Sequence, residues 1–287
     1  MNPPSRGPAS ATGDVSIAVV IPTHNRADLA IAACRSLLGQ PGRRHQVFVS
    51  DNSTRAEEIQ KLTDFCRATG DPRLVYLQPA ASLPMPTHWD WALEQAMERS
   101  DATHFYLHYD RKITKPGQVD LLLKTVRQFP EHLLTHCADH VADEPRPSTL
   151  WQYPWSGKTY ELRTSRVVAL TVRCQINEMG QAFPILSNCV VPRPVFTAIR
   201  ERFGNVCDST GPDSCFTYRF CALNERYVHF DCPTGIIYAW QRSNGLGYVR
   251  NAGGDFPAFL EAWGSRPWQD AAPIPELNLG QNLLFHE

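Results

Sequence analysis

Residues 15–26 read VSIAVVIPTHNR. Val15 to Ile21 form an apolar run between Asp14 and Pro22, which predicts a strand buried on both faces. Pro22 to Asn25 make a turn. After it Leu29, Ala32, Ala33 and Leu37 recur at helical spacing until Gly39 ends the pattern. A strand that feeds a helix through a short polar turn is the opening unit of an α/β sheet.

The unit then repeats. QVFVS (46–50) ends at Asp51 and precedes a short helix with Ile59, Leu62 and Cys66 on one face. RLVYL (73–77) precedes a helix marked by Trp89, Ala92, Leu93 and Ala96. Residues 103–108 form the fourth strand, before a helix after Pro116 that carries Val119, Leu122, Leu123 and Val126. This alternation predicts a mostly parallel central sheet with right-handed crossovers, flanked by helices. In such sheets ligands sit beyond the carboxyl ends of the strands. Three polar clusters fall there: Thr23–Arg26, Asp51–Ser53 and His108–Lys112.

The second half is mixed. Residues 158–164 and 183–191 read as extended and 194–203 as helical. Phe216, Phe220 and Leu223 mark another helix, and strands are expected at 226–231 and 235–240. One domain is expected over 15–250, with halves at about 15–112 and 113–250. Residues 1–14 read as a disordered leader without the apolar core of a signal peptide. Residues 251–287 read as a tail that packs on the domain or pairs with a partner subunit, so a homodimer is one expectation.

The chain has 287 residues, 43% hydrophobic, with a net charge of -1. Such a balance offers no general attraction to nucleic acid or anionic lipid. No apolar run approaches the ~20 residues of a membrane span. Nine cysteines without a C-x-x-C pair read as free thiols in a reducing cytoplasm. The spacing of Cys207, Cys215, Cys221 and Cys232 does not resemble a zinc knuckle. His132, His136 and His140 would share a helical face, but the segment reads as strand and loop, so a histidine metal site is not favoured.

No G-x-G-x-x-G and no G-K-[ST] follows the first strand, which disfavours a dinucleotide fold and a P-loop. Thr23 or Asn25 could cap the first helix, or the turn could meet a ligand. Asp51 could cap the next helix, or accept from a base N–H or a ribose hydroxyl. FYLHYDRKITKPG (105–117) takes a strand into one carboxylate followed by two cations, a composition suited to a metal or a phosphate. Trp151, Tyr153, Trp155 and Tyr160 could stack on sugars or pack a core.

In order, VVIPTHNR, VFVSDNST, PMPTHWDWALEQA and YLHYDRKITKPG resemble the nucleotide-sugar half of the family 2 glycosyltransferases. ILSNCVVPRPVFTAI and GPDSCFTYRF resemble their acceptor-side segment, so the likeness runs from about residue 15 to 240. It implies an A-type glycosyltransferase fold and inverting transfer from a nucleotide diphosphate, most often a UDP-sugar, to a carbohydrate or small-molecule hydroxyl. Pro22, Thr23, His24, Asn25 and Arg26 match the turn that lines the nucleoside. Asp51, beside Asn52, matches the acid that reads the base. The D-x-D motif falls on His108, Tyr109 and Asp110, with one carboxylate surviving. The acidic pair before the acceptor helix falls on Pro212 and Asp213, and Asp213 matches the general base. Its alternative is a cap for that helix, with Ser214 and Cys215 donating.

The leaving diphosphate needs a counter-charge. A divalent cation at Asp110, Mn²⁺ or Mg²⁺ with His108 as a second ligand, would supply it. Arg111 and Lys112 could do so without metal. Arg242, Ser243 and Asn244 could form a lid over the phosphates, or a plain polar loop. Two other readings remain: a nucleotidyltransferase, disfavoured because IPTHNR has no glycine, and a catalytically degenerate nucleotide-sugar-binding protein.

Overall fold

The computed structural model describes residues 14–142, 148–209 and 211–243. The expected leader and tail, and Asn244, lie outside the described residues, apart from Asp14. The first half alternates as read, with one short strand, β5 (Lys112–Thr114), not foreseen: β1 (Ile17–Thr23), α1 (Ala27–Leu38), β2 (His45–Asp51), α2 (Ala56–Thr69), β3 (Leu74–Leu77), α3 (Met85–Glu98), β4 (His104–Leu107), β5 and α4 (Gln118–Gln128). There follow β6 (Leu134–Ala142), β7 (Thr149–Trp151), β8 (Thr159–Arg163), α5 (Thr164–Val172), β9 (Cys189–Pro192), α6 (Arg193–Phe203), α7 (Pro212–Leu223) and β10 (Arg226–Ile237).

One sheet spans both halves in the order β3-β2-β1-β4-β9-β6-β10-β5, with β7 on β6 and β8 on β10. The strands β3, β2, β1 and β4 pair in parallel. β9 runs antiparallel to both β4 and β6, and so joins the halves. Every position of β1 is buried, as its unbroken apolar run requires. Alternate residues serve opposite faces. Ala18, Val20, Phe48 and Phe105 pack with Trp89, Phe196 and Phe216. Ile17, Val19, Ile21 and Val47 pack with Leu37, Leu122 and Val126. No helix of the described residues is long and apolar enough to cross a membrane.

Three further details differ from expectation. Residues 186–188 form a 3₁₀ turn, so only the end of 183–191 is a strand. The helix α5 was not foreseen: its buried face holds only Thr164, Val167 and Leu170. The two strands expected after residue 226 are one, β10, with register shifts between Phe230 and Pro233 and between Pro233 and Ile236. Pro233 reads as a stop, but a bulge accommodates a residue that cannot donate to the ladder.

Gly235 in β10 has a steric role. A Cβ there would lie 2.6 Å from the Ile113 carbonyl oxygen and 2.7 Å from Lys112 Cε. The first contact is backbone and cannot swing away. Gly235→Ala is therefore expected to destabilise the fold by about 1–3 kcal/mol. A urea midpoint equal to that of the wild type would contradict this packing.

Candidate active site

The polar turns after β1 and β2 brace one another. Asn25 takes a left-handed conformation, φ 52°, which asparagine tolerates. Its Oδ1 accepts from the backbone N–H groups of Thr54 at 3.0 Å and Arg55 at 3.1 Å. Its own N–H donates to Ser53 Oγ at 2.8 Å. Asn25 Nδ2 donates to His24 Nε2, whose Nδ1 donates to the Asn52 carbonyl. Neither Thr23 nor Asn25 caps α1; Glu58 of α2 accepts from Ala27 N instead, at 2.7 Å.

Asp51 is fully buried. One oxygen accepts from Ser53 N at 2.9 Å and the other from the Tyr76 hydroxyl at 3.0 Å. Its cap for α2 is excluded, since that helix has no side-chain cap. The base-reading expectation also changes, because the carboxylate presents no open face and instead sets the turn. Asn52 holds the loop before α3, bonding both the N–H and the carbonyl of Leu83.

Asp110 gathers the opposite wall. It is 3% exposed, and its Oδ2 accepts from Thr23 Oγ1 at 2.9 Å. Arg26 Nε stands 2.9 Å from the same oxygen. Arg26 also donates through Nη1 to the Arg242 carbonyl at 2.7 Å. Arg111 lies between the rings of Tyr109 and Trp240, at 5.1 Å and 5.4 Å from their centres. Its Nη2 donates to Ser243 Oγ at 3.3 Å, while its buried Nη1 has no partner among the described residues. Burial pushes the Arg111 guanidinium below its ordinary value, against the pull of Tyr109, Asp110 and Asp213. Segment 240–243 thus covers both arginines. The Arg242 side chain itself turns away to Asp28 of α1, at 2.9 Å.

Asp213 lies in the first turn of α7 but does not cap it. Ser214 and Cys215 donate to the Gly211 carbonyl instead. The Asp213 carboxylate accepts from the Tyr109 hydroxyl at 3.0 Å and from Ser187 N at 3.1 Å. Burial pushes its carboxyl above the ordinary value, against those two hydrogen bonds and the Arg111 charge, which pull it down. Tyr109 is thus shared between the arginine wall and the acid, 104 residues apart in sequence from the latter.

Two expectations for HYDRK are corrected. His108 is fully buried; its Nδ1 donates to the Tyr109 carbonyl at 2.8 Å and its Nε2 accepts from Thr114 Oγ1 at 3.0 Å. Neither nitrogen is left for a metal. Lys112 is 1% exposed and points inward, its Nζ donating to the Tyr106 hydroxyl at 2.7 Å. It does not face a diphosphate. What remains for a divalent cation is one carboxylate already engaged by Thr23 and Arg26, with a second guanidinium nearby. Hard cations need several oxygens, so this donor set does not fit a resident Mg²⁺ or Mn²⁺. Nor do the three histidines converge: His136 bonds Thr234 Oγ1, His140 packs against Tyr153 and Trp240, and His132 packs against Phe129.

The four aromatic residues do not pack a core. Trp151 is 57% exposed and Trp155 58%. Ring contacts lead from Arg111 to Trp240, then His140, then Tyr153. The aromatic surface therefore begins where the arginine wall ends.

No protein-family model matches the chain, and no curated protein matches it in sequence. Solved structures do. Residues 1–349 of S. aureus TarS in complex with UDP-GlcNAc match with a TM-score of 0.55 at 14% identity, over 87% of this chain and 70% of that one. The UDP complex matches at 0.53 and 13%, over 87% and 70%. A further crystal structure of S. aureus TarS matches at 0.54 and 12%, over 86% of this chain and 42% of that one. The fold is a glycosyltransferase fold. It is the α/β architecture the sequence motifs imply, with a central sheet flanked by helices.

Beneath this site Lys112 lacks an acidic partner among the described residues, and burial pushes its ammonium down to about 7. The depressed value means that the folded state binds fewer protons than the unfolded one between about 7 and the ordinary 10.5. Stability should therefore rise with pH through that window, and the charge should cost most below it. Lys112→Met is expected to raise Tm at pH 6 by roughly 3–10 °C and to flatten that rise. Thermal melts from pH 6 to 10 check it; parallel wild-type and variant curves would contradict the assignment.

Proposed function

We propose that this chain is an inverting glycosyltransferase that moves a sugar from a nucleotide diphosphate, a UDP-sugar in the first instance, to a hydroxyl-bearing acceptor. One observation carries the reading. Asp213 sits at a helix start, yet its carboxylate makes no bond to that helix; it reaches Tyr109, the neighbour of Asp110. A helix cap has no use for that arrangement, whereas a base beside an anion site does.

The acceptor hydroxyl attacks the anomeric carbon from the Asp213 side. A carbon–oxygen bond forms to the acceptor as the bond to the diphosphate breaks, and the hydroxyl proton passes to Asp213. The raised carboxyl favours that transfer. The leaving diphosphate gains charge, which Arg26 and Arg111 meet as fixed cations. The unpartnered Nη1 of Arg111 is the donor available to it. The turn Thr23–Arg26 lines the nucleoside, with Asp51 as a positioning residue that holds Ser53, and through it Asn25. Exposed Trp151, Tyr153, Trp155 and Tyr160 offer flat faces to the acceptor.

Asp213→Asn tests the base. Transfer should fall on the order of 10²- to 10⁴-fold, with UDP affinity unchanged within about twofold and Tm unchanged or higher, since burial disfavours the ionised acid. Turnover within about threefold of wild type would reduce Asp213 to a structural residue. If wild type binds UDP-sugars but turns over none of a broad donor and acceptor panel, the degenerate-binding-protein reading replaces this one.

Arg111→Ala tests the electrophile. It should lose on the order of 10²-fold or more in turnover, whereas adding Mg²⁺ or Mn²⁺ to chelator-treated wild type should change turnover less than about twofold. A tenfold rise with either ion would return the diphosphate to a metal.

A further inference from the structure

The register of β6 against β10 slips where function has so far assigned nothing. Phe230 pairs with His136, but the next partner of Cys137 is Pro233, so Asp231 and Cys232 are extra on β10. Bulges re-aim side chains. Here Cys137 Sγ lies 3.8 Å from His229 Nε2 and 3.8 Å from Asp231 Oδ1. All three ligating atoms fall within 4.8 Å of one another.

Those separations carry information. A tetrahedral zinc ion, with bonds of about 2.3 Å to sulfur and about 2.0–2.1 Å to nitrogen or oxygen, holds its sulfur ligand ~3.5–3.6 Å from a nitrogen or oxygen ligand. The two observed spacings from the sulfur need only a few tenths of an ångström of closure. The outer partners are also in place. His229 Nδ1 bonds Thr135 Oγ1 at 2.9 Å, which orients Nε2 toward the sulfur. Asp231 Oδ2 accepts from Ser156 N at 2.9 Å and Ser156 Oγ at 2.7 Å, which leaves Oδ1 toward the cysteine. Tyr160 stacks on the His229 ring at 6.5 Å. Oriented ligands with a bonded outer shell are the usual form of a metal site.

A reactive-cysteine reading fails by comparison. Burial first, and then Asp231, push the Cys137 thiol up to about 12, so it is no nucleophile at neutral pH.

We propose that Cys137, His229 and Asp231 bind a zinc-class divalent cation through Sγ, Nε2 and Oδ1, with a fourth position left for water. Binding releases the cysteine proton and forms the metal–thiolate bond. The ion joins β6 to the bulge of β10. Through Asp231 it also fastens residues 156–158, which lie beside the exposed aromatic residues: Gly157 N donates to the Asp231 carbonyl and Asp231 N to that of Lys158. The site is separate from Asp110, and its role is to hold the aromatic segment in place.

The test uses the full chain, metal-stripped with a chelator and dialysed. Zn²⁺ titration against a chromophoric chelator should show one tight equivalent per chain. Co²⁺ should give a near-ultraviolet thiolate charge-transfer band and the visible bands of a tetrahedral ion. Cys137→Ala should abolish the charge-transfer band, while Cys174→Ala, at an exposed cysteine, should leave it intact. His229→Gln and Asp231→Asn should each weaken Zn²⁺ binding at least tenfold, with the fold checked by circular dichroism. If Cys137→Ala does not fold, the half-buried Asp231→Asn still decides. A band that survives Cys137→Ala, affinity unmoved by Asp231→Asn, or no stoichiometric binding would each overturn the site.

Discussion

The candidate site is organised around the carboxylate of Asp110. It is nearly sealed from water, and it holds together pieces of chain that the sheet alone would only bring near. Thr23 ends β1, Arg26 opens α1, and Asp110 follows β4; one oxygen meets both residues. A buried carboxylate left unpaired would be costly, so its two partners are held by that cost as much as by attraction. Once Arg26 is fixed there, its Nη1 can hold the carbonyl of Arg242, and segment 240–243 closes over Arg111. The cationic wall is thus set up by an anion behind it. On the proposed reading, a segment with one carboxylate still serves transfer, because that carboxylate positions guanidinium groups and need not itself collect a metal.

The fold was legible because its first half is periodic. β1 is apolar at every buried position, and α1 repeats until Gly39. The place of Asp213 after a Gly-Pro turn at a helix start was legible, but its partner was not. Nothing in the sequence says that Tyr109 reaches across 104 residues to it. Lys112 was misread for a local reason. A charged run looks like a solvated loop, but Lys112 opens the three-residue strand β5, and strand alternation turns it inward while Arg111 stays at the site. Asp51 was misread because a strand-end carboxylate looks the same in sequence whether it faces a ligand or a neighbouring turn. The Cys137–His229–Asp231 cluster had no readable spacing, since its members lie on strands about ninety residues apart and meet only through a bulge.

The interior below the site is unusually polar for a sheet of this kind. Tyr106, His108, Lys112 and His136 are all buried together, with ring centres 5.3 Å and 5.0 Å from Tyr106 to the two histidines. Burial depresses the basic groups, and His108 falls to about 3. The histidines are therefore neutral at pH 7, which lets them serve as paired donors and acceptors without charge. Gly235 makes room for the Lys112 stem, so the absence of one side chain on β10 permits the presence of another on β5. An apolar residue at 112 would fill that space without the desolvation cost. The lysine is then a stability defect, one that the fold tolerates beneath its most constrained loop.

Asp213 shows the same tension with the opposite sign of charge. Its folded value lies above the ordinary one, so its contribution favours the fold when protonated and is lost as pH rises through the folded value. When ionised, that carboxylate is a charge the fold would be more stable without. The hydrogen bonds from Tyr109 and Ser187 limit that cost, and they also fix where the free lone pairs point. Arg111 lowers it further through space. On the proposed reading, a bound diphosphate cancels much of that positive field. The carboxylate then becomes more basic when the donor arrives, which is when a proton must be taken. On that reading Arg111, which restrains the acid through space in the free protein, couples its basicity to occupancy of the neighbouring anion site.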